Sequence, residues 1–228
     1  MIKYLYSITR LSLVIALLNP GLQSMADEIQ TVDPNTILYS TPSLPNELPP
    51  LVSVDVDGDA PIFPIHEDDW SKIEFFKKNQ LSEVKALLTE YKEFEEQNRK
   101  EVGWQNVYVR YFVPKPLYSA IRPTQKILNI LSAQEGNKPI IHSSNAINGL
   151  IKNGFSVQVG NDVVLYGYTE GMKLNALGAS LGENPDNQSL VNAFVKLNNE
   201  LELMLIDWHS QFILTGLDES GQILMWQP

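Results

Sequence analysis

The segment FSVQV-GND-VVLYGY (Phe155–Tyr168) sets the strongest limit on what this chain can fold into. Phe155, Val157 and Val159 alternate with Ser156 and Gln158, and Gly160-Asn161-Asp162 supplies turn chemistry, so the stretch reads as an antiparallel hairpin. The chain closes on a second one: WHSQFILTGL (Trp208–Leu217), a turn at Asp218–Gly221, then QILMW. Neither hairpin can bury its apolar face unaided, so helices must pack against them.

The intervening sequence supplies those helices. From Asn79, Leu81, Val84, Leu87, Leu88, Tyr91 and Phe94 fall at i, i+3, i+4 spacing with Asn79 as cap, which predicts a long amphipathic helix. TQKILNILSAQ predicts a shorter helix capped by Thr124, with Ile127, Leu128 and Leu131 inward. SNAINGLIKNGF predicts another, capped by Ser144 and ended by Gly154, with Ile147, Leu150 and Ile151 inward. SLVNAFVKLNNEL predicts a fourth, capped by Ser189, and WSKIEFF a fifth, anchored by Trp70, Ile73 and Phe76. VYVRYFV (Val107–Val113) alternates as a strand with Val107, Val109, Tyr111 and Val113 on one face, and KPII predicts a short strand. The expected class is α+β: mainly antiparallel sheet with helices packed on one face. The order strand, helix, hairpin from Lys138 onward resembles, in pattern alone, small periplasmic modules such as those at the N-termini of secretin subunits.

The first 26 residues have a different character. Lys3 and Arg10 precede the apolar run LSLVIALL, Asn19-Pro20 breaks it, and Ser24-Met25-Ala26 places small residues before Asp27. This is the order of a secretory signal peptide cleaved after Ala26, and the run is too short to span a bilayer. Residues 27–64 hold seven of the fourteen prolines and read as an extended arm leading to a globular region over residues 65–228. The three prolines at Pro114–Pro123 mark a possible internal boundary. The chain has no cysteine, which removes disulfides and thiolate chemistry and suits a bacterial periplasmic protein stabilised by its core. Its formal charge of −10 becomes −12 once Lys3 and Arg10 are lost, a balance that argues against nucleic acid and anionic lipid as partners.

Candidate chemistry concentrates in SVDVDGDAPIFPIHEDDW (Ser53–Trp70), where six carboxylates and a histidine lie close together. Asp55, Asp57 and Asp59 match the alternation of a calcium loop, but Ala60 stands where the EF-hand pattern needs glycine and His66 where it needs glutamate. The three aspartates are therefore candidate ligands of an irregular site only. Turn chemistry at Asp57-Gly58, with Glu67, Asp68 and Asp69 as first-turn acids of a following helix, explains the cluster without a metal. The histidines His66, His142 and His209 lack the spacing of a zinc protease. His142-Ser143-Ser144 lacks a nucleophile elbow, and Asp207 and His209 are expected on one face of a strand. No catalytic residue, cofactor or metal is assigned. The sequence predicts an exported, non-enzymatic accessory protein that binds another envelope protein, as in a secretion machine. The rival readings are a periplasmic hydrolase acting on cell wall or another polymer, and an acidic inhibitor of a basic toxin.

Overall fold

The computed structural model describes residues 37–53, 61–112 and 115–228. The chain begins with β1 (Ser43–Pro45), β2 (Leu51–Val52) and β3 (Ile62–His66). A 3-10 turn at Glu67–Asp69 leads to β4 (Ile73–Lys77), helix α1 (Leu81–Asn98), β5 (Tyr108–Arg110), β6 (Tyr118–Ser119) and helix α2 (Pro123–Leu131). There follow β7 (Lys138–Ser143), β8 (Ala146–Ile151), β9 (Gly154–Gly160), β10 (Val163–Glu170) and β11 (Lys173–Leu181). Helix α3 (Asn187–Leu201), β12 (Leu203–Asp207), β13 (Phe212–Leu217) and β14 (Ile223–Trp226) complete the described chain.

The central layer is an eight-stranded antiparallel sheet in the order β14-β13-β12-β4-β11-β10-β9, with β6 added alongside β11. Strand alternation divides its side chains between two cores. Ile73 and Phe75 of β4 and Leu203 and Leu205 of β12 face one side, where α2 and α3 bring Ile127, Leu128, Leu131, Phe194 and Leu197. Phe76, Met204, Ile206 and Ile213 face the other, where α1 packs Val84, Leu88 and Tyr91. That second face is shared. At its β10 end a four-stranded sheet, ordered β2-β8-β7-β3, lays Ile65, Ile141 and Ile151 near Tyr166. The mixed α+β class, mainly antiparallel sheet with helices, is thus the one the sequence reads; the helices cover both faces rather than one, α2 and α3 on one side and α1 on the other.

Both predicted hairpins are present, as β9–β10 and β13–β14. Two predicted helices are strands instead. WSKIEFF forms β4, whose central position puts apolar side chains on both faces; a two-sided strand this short mimics i, i+3 spacing. SNAINGLIKNGF forms a tight Ser144-Asn145 turn, β8, and a second turn through Asn153 (φ 53°) into β9. Ile147 is exposed there, and Ser144 caps no helix. The order strand, helix, hairpin is therefore replaced by strand, strand, hairpin. Caps also differ. Asp186, not Ser189, accepts from the Gln188 and Ser189 amides at the start of α3, its carboxylate reaching back over the first turn. Pro123 opens α2 ahead of Thr124, and a 3-10 turn over Lys78–Gln80 takes the place of an Asn79 cap. Within VYVRYFV only Tyr108–Arg110 form a strand; Arg110 is buried, Tyr111 is open to solvent, and Val113 lies outside the described residues.

The Pro-rich segment adds β1 beside β5 and β2 beside β8, so residues 43–52 contribute strands to the described structure. Gly149, opposite this segment, has φ +148°, and a Cβ there would stand 2.7 Å from the Val52 carbonyl oxygen. Gly149→Ala is therefore expected to cost about 1–3 kcal/mol in urea unfolding, by strain and collision with β2. In a helix the same change would stabilise by roughly 0.5–1 kcal/mol, so the sign of the measured change decides between strand and helix.

Candidate functional site

Between α1 and the four-stranded sheet, the shared face of the large sheet is left partly uncovered, and a cavity of about 350 Å³ lies over β4. Glu74 stands on its floor because it alternates with Phe75, which faces the opposite core. Asn46–Pro49 of the Pro-rich segment, Arg110, Phe112 and Lys115 form part of the wall. Trp70, Tyr168 and Trp208 give it aromatic surface.

Arg110 organises this region. It is 4% exposed, and its Nη1 donates to Ser43 Oγ at 2.9 Å while Nη2 donates to the Ser71 carbonyl at 3.0 Å. Its guanidinium lies 4.8 Å from the Trp208 ring centre, and Trp208 Nε1 donates to Glu74 Oε1 at 2.7 Å. The indole thus joins the cation to the carboxylate. Glu74 is enclosed by protein yet keeps surface toward the cavity. Burial pushes its carboxyl above the ordinary value of 4.5, against the opposing charge of Arg110 and bonds from Trp208 and Ser71. Burial lowers the Arg110 pKa, opposed first by Glu74, but a guanidinium titrates too high to lose its charge. Beneath, Tyr166 OH accepts from the Ser71 amide at 3.1 Å and donates to the Asp69 carbonyl at 3.3 Å. Gly178 makes room for that ring, since a Cβ would lie 2.8 Å from it.

The histidines form a separate group. His66 on β3 and His142 on β7 are register partners with ring centres 5.2 Å apart, edge to face. His66 Nδ1 accepts from the Asp68 amide at 3.2 Å, capping the 3-10 turn, and its Nε2 lies 3.4 Å from Ser144 Oγ. His209 is exposed in the turn after β12, and Asp207 Oδ1 accepts from the Ser210 amide at 2.8 Å, so the two do not share a strand face. Among the described residues no three His, Asp or Glu side chains gather as metal ligands. Asp55, Asp57 and Asp59 lie outside the described residues.

Sheet edges are the third feature. The β1–β5 pair carries Pro45, and the β3 edge carries Pro64. β2 has two residues. β9 is covered where the Gly136 amide donates to the Ser156 carbonyl and Ser156 Oγ donates to the Asn137 carbonyl. Such devices block strand addition. Among the described residues β14 lacks a proline, a charge of its own and a covering strand: it is four residues long with Leu224 47% and Met225 57% exposed, and Lys85 and Lys92 of α1 reach only its far end, at Trp226 and the Pro228 carbonyl. Among the described residues no helix is long and apolar enough to cross a membrane. Comparison with protein-family models, curated proteins and solved structures returned no match.

Sequence reasoning missed Glu74 and Arg110. The available signal was a single arginine inside an aromatic strand and a single glutamate inside IEFF, each a charge where alternation on a two-sided strand places a buried side chain. A carboxyl held above pH 4.5 binds more protons folded than unfolded, so stability falls as pH rises from 4.5 through the raised value. Glu74→Gln removes that loss. In urea unfolding across pH, the variant's stability relative to the parent is expected to increase with pH over this window; a pH-independent difference contradicts the assignment.

Proposed function

We propose that this chain is an exported, non-enzymatic binding protein of the bacterial envelope that takes a segment of another envelope protein as an added strand on β14. Export rests on the charged, apolar and small-residue order of residues 1–26, and a periplasmic setting on the lack of cysteine. The observation that carries the binding reading is the undefended β14 edge beside edges that carry proline, are covered or are very short. An added strand gains backbone hydrogen bonds along the edge, while Leu224 and Met225, adjacent and therefore on opposite faces of the sheet, meet successive side chains of it. The partner segment is accordingly extended and apolar at adjacent positions. The acidic surface, at −12 after cleavage, discourages unspecific contact with anionic lipid and nucleic acid.

Photocrosslinking in the native periplasm tests this. A crosslinking residue at Met225 is expected to trap one envelope protein that the same residue at Val102, exposed on the loop after α1, does not trap. Leu224→Pro, which disrupts strand β14 itself, should abolish the adduct. Adducts only with a second copy of this chain, or the same adducts from both positions, would contradict the reading.

A further inference from the structure

The cavity over β4 is lined by both charged and aromatic side chains. Four charged side chains reach its wall, two of each sign: Glu47, Glu74, Arg110 and Lys115. Trp208, rather than a direct ion pair, links Glu74 to Arg110, so each keeps a side for another partner. Two of the five guanidinium donors are used, by Ser43 and by the Ser71 carbonyl. On the opposite wall Asn175 Nδ2 donates to Glu170 Oε2 at 2.7 Å, which fixes the orientation of the amide. Asn175 Oδ1 is then a buried acceptor with no hydrogen-bond partner. Unmet acceptors of this kind are costly, and a ligand bringing N–H donors would satisfy one.

The unmet groups divide by type. Glu74 and Asn175 Oδ1 call for donors, preferably cationic, and Trp70, Trp208 and Phe76 line the same cavity with aromatic carbon. Arg110 offers donors to a carboxylate, the acceptor a guanidinium matches best. We infer that the cavity binds a small zwitterion, an α-amino acid or a molecule of equal charge pattern, with its ammonium toward Glu74 and Asn175 and its carboxylate toward Arg110. A volume of about 350 Å³ suits a ligand of that size. The balanced wall explains the preference for a zwitterion: a lone cation meets Arg110, and a lone anion meets Glu74, each an unfavourable pairing in a poorly solvated site.

The test uses the purified full-length chain, its tryptophan fluorescence and titration calorimetry. The probes are L-phenylalanine, L-leucine, L-glutamate and L-arginine, each also as its N-acetyl and carboxamide derivative. At least one free amino acid is expected to bind with Kd below about 1 mM, and both of its capped forms to bind at least ~10-fold more weakly. Glu74→Gln should weaken binding about 10-fold. Asn175→Leu, whose side chain carries no part of the core, provides the same check should Glu74→Gln fail to fold. Leu224→Pro should leave ligand affinity unchanged, which separates this inference from the strand-addition reading. Absence of saturable binding by every free amino acid at about 10 mM, or equal affinity for a capped form, overturns it.

Discussion

A buried guanidinium needs compensation, because taking the charge out of water costs several kcal/mol. Arg110 meets that demand with parts drawn from the whole length of the chain. Ser43 comes from the Pro-rich segment, Ser71 from the turn before β4, and Trp208 from the turn after β12. Each contact holds a different element over the same stretch of sheet. Because Trp208 also donates to Glu74, the strand at the centre of the sheet joins the same assembly. Remove the cation, and Glu74 remains buried beside an empty space.

This assembly also explains where the cavity lies. Helix α1 and the four-stranded sheet each cover part of the shared face, and the cavity opens between them at Glu74 of β4. The gap is bridged by Arg110 and the Pro-rich segment, which meet edge to edge as β5 and β1. A polar bridge over a sheet leaves more space than a helix would, since hydrogen-bonded side chains do not interdigitate as aliphatic ones do. The cavity and the β14 edge sit on separate parts of the molecule, so ligand and partner binding need not compete.

Much of the architecture can be read from residues alone where one pattern dominates. The two hairpins and the amphipathic helices α1, α2 and α3 follow from simple alternation or helical spacing. β4 and β8 could not be read this way. β4 is buried on both faces, and β8 carries apolar residues at helical spacing, although Ile147 points to solvent. Helical and strand periods coincide over such short runs, and tertiary pairing decides between them. The candidate site was lost for the same reason. With IEFF read as helix, Glu74 falls outside any sheet, and alternation in VYVRYFV does not by itself say that the Arg110 face is the buried one. Asp69, read as a first-turn acid of a helix, closes a 3-10 turn instead, where its backbone carbonyl accepts from Tyr166 OH and its carboxylate pairs with Lys72.

The most direct test of this account is Arg110→Met, followed by urea unfolding and by hydrogen exchange across residues 43–52 and 108–110. If the buried cation organises the region, stability falls by about 3–5 kcal/mol, the range for breaking a buried charge network. Protection at the Tyr108 amide, which bonds to the Pro42 carbonyl at 2.9 Å, is lost well before global unfolding. A change below about 0.5 kcal/mol, the usual size for surface substitutions, with Tyr108 still protected, would contradict the central role given to Arg110.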